Sequence, residues 1–547
     1  MQNQQSPKRT YLPILILLAA NIICGLIVFR NYGLSWDEPL FYDYAESLGY
    51  AYSPREWFSG NFNLENAYGS SGTDHANRGP AYILLARGPV RLLTHLGLDA
   101  PSAWHLVNFL TFQLGVLLLY RLAIRWIRLW PAIAATALFA WQPLLWGHSF
   151  INPKDPPFLV FFLGAVLFGF EMVDTLRSES KSRSQKIWAV LLAAFFLGIA
   201  TSIRVLGPLA GVLVAIYALR ALNKKALPFF IAYAFAAIAI MFIAWPYLWL
   251  NPLQRFVEVF GFMSDNPTQL RVLFSGEYYR ADELPRRYLP TLLAFTLTEP
   301  VWPLFLVGLV RGFWKPIAGL MNSPRDDRRQ TTERFPLSTD HWSLRSPRSG
   351  ITDYFLLLAW FLIPIAYVLI LRPSMYDGFR HFLFMLPPVF IFAGFAFEKL
   401  FELVRSRFVS VILTVLILLT GLIPSVALHP YEYAYYNSFV GGTQGAFRTY
   451  ETEYWLTCYK EAMEDFQRQA TEPSTIYVHR EAYIAATYVR GDITVLDERG
   501  AADQINSGDY VLVNSRSNED LKTFEDATIV LHVSRGNAVF CVIRRIP

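Results

Sequence analysis

Long apolar segments are the feature of this sequence that most restricts its fold. A helix needs about 20 mostly apolar residues to cross the hydrocarbon core of a membrane, and about eleven segments meet that description. Charged residues make up only 17% of the chain, against about 25% in a soluble protein. We therefore predict a polytopic α-helical membrane protein. Its predicted spans are residues 11–29, 102–120, 131–150, 156–175, 187–203, 206–222, 226–249, 288–310, 353–371, 382–398 and 408–427.

The distribution of lysine and arginine predicts how these spans are oriented, because short cytoplasmic loops carry an excess of both residues. Lys8 and Arg9 precede the first span, and other basic residues follow the second, fourth, sixth, eighth and tenth spans. All of them lie on one side if the N-terminus is cytoplasmic, and eleven spans then place the C-terminus outside. The first apolar run lacks a convincing cleavage site, so we expect it to be retained. The expected location is the plasma (inner) membrane of a bacterium.

This orientation assigns each connecting segment to one side of the membrane. The arginine-rich connection 311–352 is predicted to be cytoplasmic. The apolar segment 80–98 is interrupted by charged residues, so an amphipathic helix in the membrane interface suits it better than a span. The predicted outer regions are the loop 30–101 that contains this segment, the turn 152–157, the turn near Arg204, the loop 250–287 and the turn 372–381.

Beyond residue 428 the composition changes to that of a soluble domain. We divide the chain into a transmembrane domain, 1–428, and a small extracytoplasmic α/β domain, 429–547. Cys458 and Cys541 both lie in the second domain, so they can form a disulfide if it is exported. Two unrelated small hydrophobic residues are an equally good interpretation. The predicted strands are "STIYVH", "DITVLD", "DYVLVNS", "ATIVLHV" and "AVFCVIRR".

Cations in three short outer turns break the expectation that such turns contain little lysine or arginine. Each cation alone is explained by a side chain that reaches the lipid headgroups. Together they could hold an anionic headgroup, since the arginine fork suits phosphate and lysine supplies a point charge. The residues are Lys154 in "NPKDPPF", Arg204 in "TSIRVLGP", and Arg380 with His381 in "YDGFRHFLF".

Two adjacent carboxylates, Asp37 and Glu38, follow the first span in "SWDEPLFYDYA". One interpretation is structural: an N-cap and a first-turn charge for a helix through 39–50, with Pro39 in its first turn. The other is a functional pair at the outer face. Spacing alone does not separate the two.

Other partners find little support in the sequence. Asp74 and His75 are too few ligands for a convincing metal site, so no metal and no cofactor are predicted. The net charge of +5 and the lack of a basic cluster interleaved with aromatic residues argue against nucleic acid.

Several stretches, taken in order, resemble the GT-C type membrane glycosyltransferases, in particular the protein O-mannosyltransferase and aminoarabinose-transferase superfamily (glycosyltransferase family 39-like). They sample nearly all of residues 30–465. This resemblance implies a GT-C fold and the transfer, at the outer face, of a sugar carried on a polyprenyl phosphate. The stretches are "SWDEPLFYDYA", "NPKDPPFLVFFLGAVLF", "SIRVLGPLAG", "YDGFRHFLFMLPP", "HPYEYAYYNSFVGG" and "YETEYWLTCYKEA".

The resemblance also implies roles for single residues. Asp37 corresponds to the acidic residue taken as general base, Glu38 is its neighbour in the motif, and Asp155 matches the second acidic position. The expected reaction inverts the anomeric carbon, and its acceptor is a hydroxyl on a lipid, a glycan or a protein. The inferred contacts to the donor phosphate are Lys154, Arg204, Arg380 and His381.

Two other functions are compatible with a chain of this kind. A transporter or flippase of a lipid-linked sugar predicts charges near the bilayer midplane and helices broken there. Glu299, in "TEPVWP", is a candidate for such a break. An anchored binding module is the third interpretation, although eleven spans far exceed what anchoring requires.

Overall fold

Helices make up most of the computed structural model, as the sequence predicts. The arginine-rich part of the predicted cytoplasmic connection 311–352 lies outside the described residues. The described residues are 8–70, 72–221, 226–264, 270–321, 351–470 and 472–547.

Seven helical segments in the described part are long and apolar enough to cross a membrane, and each coincides with a predicted span. Their length and composition make the chain an integral membrane protein. The first and sixth belong to the helices Lys8–Val28 and Ile351–Leu371. The seven segments are Tyr11–Val28, Ala100–Ala123, Asp155–Arg177, Arg183–Ile203, Leu227–Ala244, Thr352–Leu371 and Arg407–Leu428.

The other four predicted spans are helices that are short or broken. Tyr288–Thr296 and Val301–Met321 meet at a bend of 102°, and if they are one span the count rises to eight. Three of the remaining helices begin on a proline, which suits a first turn but cannot continue a helix that arrives from before it. The number eleven stays a prediction. These remaining helices are Leu129–Ala140, Pro143–Ile151, Pro208–Ala221 and Pro387–Leu403, the last preceded by the 3₁₀ segment Arg380–Met385.

Helix Asp155–Arg177 is the most enclosed of the seven candidate spans. The rest of the structure buries 94% of its apolar window, against 17% for Leu227–Ala244 and for Arg407–Leu428. With a rise of 1.5 Å per residue, Asp155 and Asp174 are about 28 Å apart along the helix axis. These two carboxylates therefore mark opposite ends of the helix bundle.

The end at Asp174 holds several of the arginines that predict the cytoplasmic side. Arg125 contacts Asp174 at 2.7 Å, and Arg121 contacts Glu171 at 2.8 Å. Carboxylates on the central helix therefore pair with basic residues that follow the second predicted span.

The five predicted outer regions meet at the other end of the bundle. The Arg204 turn contacts Asp155, and the backbone N–H of Met375 donates to the carbonyl of Ala281 at 3.0 Å. Residues of the first loop join them, as described below. This meeting agrees with the predicted sorting of loops, while the assignment of this end to the outer face stays a prediction.

Short helices and one hairpin cover this end. Helix Ala81–His95 corresponds to the predicted amphipathic segment 80–98: it buries Tyr82 and Val90 and exposes Leu92. Its position in a membrane interface stays a prediction. The other elements are the helices Glu38–Ser47, Pro54–Trp57, Thr73–Ala76 and Pro252–Ser264 and the paired antiparallel strands Arg271–Phe274 and Glu277–Arg280.

All five predicted strands of the C-terminal part form one mixed sheet. Ser474–Val478 is parallel to both of its neighbours, Ile493–Asp497 and Tyr510–Asn514. Ala538–Arg545 is antiparallel to Tyr510–Asn514 and to the edge strand Thr528–Arg535. The α/β class of this part is confirmed, and the boundary at 428/429 stays a prediction. The helices after this boundary are Gly442–Ala446, Cys458–Gln469, Ala482–Ala486 and Glu498–Ala501.

Cys458 and Cys541 form a disulfide. Cys458 begins helix Cys458–Gln469, Cys541 lies in strand Ala538–Arg545, and both side chains are fully buried. The bond therefore ties the first long helix of the C-terminal part to its sheet. The third cysteine, Cys24, is free and exposed.

Because two of the three cysteines are paired, we expect one maleimide label per chain in the denatured, unreduced protein and three after reduction, measured by intact mass. The variant Cys24→Ser is the control and should take up none before reduction and two after it. Three labels on the unreduced wild-type chain would contradict the pairing.

Candidate functional site

The turn "NPKD" sets the start of the central helix. The side-chain oxygen of Asn152 accepts the backbone N–H groups of Lys154 at 3.0 Å and Asp155 at 2.9 Å. Pro156 and Pro157 then occupy the first turn, where a missing N–H costs nothing. The amide of Asn152 donates to Asp155 Oδ2 at 2.9 Å, which fixes the carboxylate as well as the backbone.

Asp155 holds two arginines from distant parts of the chain. Its Oδ1 atom contacts Arg204 Nη2, and its Oδ2 atom accepts from Arg380 Nη1 at 3.1 Å. The carboxylate is almost fully buried, with 1% of the side chain exposed. A buried charge requires such partners, because desolvation is costly when it is unpaired. Asp155 therefore orients Arg204 and Arg380.

Asp37 contacts the other terminal nitrogen of Arg380, Nη2. Its Oδ2 atom is 3.4 Å from Arg380 Nη2, and one fifth of its side chain is exposed. Asp37 occupies the N-cap position of helix Glu38–Ser47, but its side chain makes no capping hydrogen bond. The helix-start interpretation therefore does not account for this carboxylate, which faces a cavity.

Glu38 points elsewhere. Its carboxylate accepts the N–H of Ser35 at 2.7 Å and the hydroxyl of Tyr42 at 2.6 Å, and it lies 3.1 Å from Nε2 of His105. The side chain is fully buried and does not line the cavity that Asp37 faces. Its contacts hold the turn before helix Glu38–Ser47 against its neighbours, and thereby position Asp37.

The cavity beside Asp37 contains about 1030 Å³ of empty space and is partly open to solvent. Its lining combines cationic and apolar side chains. The cationic residues are Arg78, Lys154, Arg204 and Arg380, together with His381. The apolar residues include Val205, Leu206, Trp245, Val259, Phe260 and Phe382.

Lys154 and His381 are destabilised as cations in this setting. Burial, followed by repulsion from Arg204 and Arg78, holds the pKa of Lys154 well below its usual range. Burial, followed by repulsion from Arg204 and Arg380, lowers the pKa of His381. An anion placed among these groups would favour their charged forms, because an opposite charge nearby reverses the shift. The cavity is therefore suited to an anionic group.

Arg78 is a cation of this cavity that the sequence reasoning missed. In the described part of the chain, its guanidinium makes no recorded hydrogen bond or ion pair. Its neighbour Gly79 packs so closely on the Arg204 turn that a Cβ atom would overlap the carbonyl oxygen of Ser202. Arg78 lies in the long loop 30–101, where cations are ordinary, so the charge rule for short loops could not single it out.

Asp377 is the second residue that was missed. It is fully buried, and its Oδ2 atom accepts from Arg380 Nη2 at 3.0 Å and from the Trp455 indole at 3.1 Å. Its Oδ1 atom lies 2.9 Å from Arg516 Nη1. A carboxylate in the same short turn as Arg380, in "YDGFRH", was the available signal. Through Asp377 the C-terminal part of the chain reaches the site.

The structure thus brings together six of the seven predicted site residues and turns the seventh away. Glu38 is next to the group but faces other partners. Among the residues that the structure describes, no group of three or more His, Cys, Asp or Glu side chains could hold a metal ion; the side chain of Asp74 is outside that description. The six residues are Asp37, Lys154, Asp155, Arg204, Arg380 and His381.

No protein-family model matches the chain, and no curated protein matches it in sequence. Solved structures do resemble it. ArnT from Cupriavidus metallidurans in the apo state shares 13% identity at a TM-score of 0.48, over 97% of each chain. The archaeal oligosaccharyltransferase AglB from Archaeoglobus fulgidus shares 10% identity at a TM-score of 0.49, and the match covers 95% of this chain and 71% of AglB. The arabinofuranosyltransferase AftD from Mycobacteria shares 13% identity at a TM-score of 0.40, and the match covers 100% of this chain and 42% of AftD.

These proteins are GT-C glycosyltransferases. The stretches quoted above resemble the same class in sequence. Identities of 13% or less and TM-scores below 0.5 carry no argument about the fold or the reaction. Function has to be argued from the residues of the site.

The buried contacts of Glu38 predict that its loss damages the fold. Glu38→Ala leaves the Ser35 N–H and the Tyr42 hydroxyl without their acceptor, at a cost of about 3 kcal/mol for the two groups. We expect a clearly lower Tm in thermal unfolding of the detergent-purified chain. Glu46→Ala, on the same helix, removes a half-exposed partner of Arg91 and should cost less than about 1 kcal/mol. Equal Tm shifts for the two variants would contradict this role of Glu38.

Proposed function

We propose that the chain is a glycosyltransferase that moves a sugar from a polyprenyl-phosphate-linked donor to an acceptor hydroxyl. The observation that carries the proposal is the position of Asp37. A partly exposed carboxylate lies 3.4 Å from a buried arginine, in the lining of a cavity that contains both cations and apolar side chains.

The cationic and the apolar lining residues fit the phosphate and the prenyl chain of a lipid-phosphate donor, respectively. Arginine binds phosphate through paired donors, and a lysine nearby adds a point charge. Of these cations, Arg204 and Arg380 are held in place by Asp155. The apolar side chains of Val205, Phe260 and their neighbours suit the prenyl chain. Solved structures of the proteins named above include one of ArnT bound to undecaprenyl phosphate and one of AglB with a dolichol-phosphate, but the proposal rests on the cavity.

In the proposed reaction Asp37 is the general base. It takes the proton of the acceptor hydroxyl while that oxygen attacks the anomeric carbon of the donor. The bond between this carbon and the phosphate oxygen breaks, and its electron pair leaves with the polyprenyl phosphate. Direct attack from the opposite face inverts the anomeric carbon, as in inverting hydrolysis by a carboxylate-activated water. Lys154, Arg204 and Arg380, with His381 beside them, stabilise the charge on the departing phosphate.

Asp155 and Glu38 act through their neighbours in this proposal. Asp155 is occupied by two arginines and does not line the cavity, so we assign it to positioning them. Glu38 holds the turn that carries Asp37. We place the reaction at the outer face of the bacterial inner membrane, because the positive-inside distribution puts this end of the bundle there.

The transporter interpretation depended on Glu299. Its carboxylate accepts the backbone N–H of Ser438 at 2.8 Å. Ser438 follows the last predicted span, so Glu299 lies at the end of the bundle where the C-terminal part packs. Glu299 was the main charge expected near the bilayer midplane of a flippase, and its position at this end of the bundle argues against that function.

We expect Asp37→Asn to lower transfer from the lipid-linked donor by about 10²–10⁴-fold, because the general base is lost. The variant should still insert in the membrane and keep its Tm, since Asp37 makes no capping bond. Transfer is measured as loss of sugar from a panel of polyprenyl-phosphate sugars incubated with the purified protein. Asp43→Asn, on the same helix, is the matched control and should retain activity. Full activity of Asp37→Asn would refute the assignment.

Arg78→Gln tests the anionic half of the donor. Because the Arg78 side chain has no recorded protein partner in the described part, its loss leaves no buried group unpaired. We expect the donor KM to rise about tenfold, since a charge-assisted hydrogen bond is lost, while the acceptor KM is unchanged. Arg55→Gln, an exposed cation of the same loop, should change neither. A change confined to the acceptor KM would reassign Arg78 to the acceptor side.

A further inference from the structure

A second cavity lies between the hairpin of strands Arg271–Phe274 and Glu277–Arg280 and the C-terminal part. It contains about 570 Å³ of empty space, part of it open to solvent. Four cations and one carboxylate are among its lining residues, which is a strong imbalance of charge. These five residues are Arg271, Arg480, Arg516, Lys522 and Glu519.

Arg516 is the buried base of this cavity. Only 1% of its side chain is exposed. Its Nη1 atom donates to the carbonyl of Tyr454 at 2.6 Å and lies 2.9 Å from Asp377. Within the described residues its Nη2 atom has no hydrogen-bond partner, and the carboxylate of Glu451 is 3.7 Å away. Nη2 is itself buried, and a buried donor without an acceptor is costly.

Arg480 also lines the cavity. Its Nε atom is buried and has no hydrogen-bond partner in the part of the chain that the structure describes. Burial, followed by repulsion from Arg516, lowers the pKa of Arg480. Two guanidinium groups are thus held near each other without enough acceptors between them. An oxyanion between them would supply the missing acceptors and offset the repulsion.

The remaining charges leave room for such an anion. Lys522 donates to the carbonyl of Ser517 at 3.0 Å and lies over the ring of Tyr278, and no carboxylate of the described residues pairs with it. Among the described lining residues Glu519 is the single acidic one, and it is 4.0 Å from Nε2 of His479. Asp377 pairs with Arg516, so Glu519 alone faces the other three cations.

We propose that this cavity is a second anion-binding site, for a phosphate-type group, separate from the cavity of Asp37. The proposal does not depend on the proposed glycosyl transfer. Arg516 also contacts Asp377, which in turn contacts Arg380.

Isothermal titration calorimetry of the full-length, detergent-purified chain with inorganic phosphate tests the site. We expect Arg480→Gln combined with Lys522→Gln to weaken one binding event by at least about tenfold, because two cationic contacts are lost. Arg499→Gln, an exposed arginine of the same part paired with Asp497, should titrate like the wild type. Arg516 is kept, since its loss would leave Asp377 unpaired.

The first cavity can also bind phosphate, and the variants separate the two events. A binding event in the first cavity survives in the double variant and is weakened by Arg78→Gln. The binding event in the second cavity is weakened in the double variant and survives Arg78→Gln. If the double variant titrates like the wild type, the proposed site is refuted.

Two competitors distinguish the sources of the anion. Glycerol phosphate represents a soluble phosphate ester, and short-chain phosphatidic acid represents a lipid headgroup. If either competitor displaces phosphate from the second cavity, the site is supported and that competitor indicates the source of the anion. If neither displaces it, the site is refuted. Asp37→Asn should leave the binding event in the second cavity unchanged, so failure of the glycosyl-transfer proposal and failure of this one are distinguishable.

Discussion

The buried carboxylate of Asp155 is the interaction on which the arrangement of the site depends. It lies at the start of the most enclosed of the candidate spans and binds Arg204 and Arg380 at once. A charge in this position cannot be left unpaired, because desolvation costs several kcal/mol per ion. The two turns that carry these arginines are therefore drawn to one point. Buried ion pairs add little net stability, and we interpret this group as a means of holding one geometry.

Arg380 extends this ionic group in two directions. Toward the cavity it reaches Asp37, and away from it Asp377. Asp377 then contacts Arg516, which belongs to the part of the chain that carries the sheet. Carboxylate and guanidinium groups alternate along this path, so each charge has an opposite neighbour. The C-terminal part is in this way attached to the site itself, which an independent anchored module would not require.

Aromatic contacts support the same attachment. Trp455 donates to Asp377 and lies under the guanidinium of Arg380. The hydroxyl of Tyr454 lies 3.1 Å from Nε2 of His148, a buried residue of the helix before the "NPKD" turn. The segment before the disulfide-linked helix is therefore packed into the membrane part of the chain. The predicted boundary at 428/429 describes the change in composition better than it describes a gap in the packing.

Sequence patterns pointed to residues that the structure brings together, but they said nothing of side-chain direction. Lys154, Arg204 and Arg380 stand out in the sequence because cations are rare in short outer loops. Arg78 escapes that rule because its loop is long, and Asp377 escapes it because the rule concerns cations and not carboxylates. Glu38 was grouped with Asp37 because the two are adjacent. The helix start at this point turns neighbouring side chains in different directions, which spacing in sequence does not reveal.

The sequence by itself determined that the chain is a helical membrane protein with a C-terminal α/β part. Apolar length and strand alternation are local properties, and a bilayer or a sheet imposes them directly. Tertiary structure alone decided which charges meet. Asp37, Asp155, Arg204 and Arg380 come from four separate connections, and their pairing follows from how the helices pack. The sequence marked "TEPVWP" as a candidate break, but only packing set the 102° bend beside Glu299, because a bend angle depends on the helices that pack on either side of it.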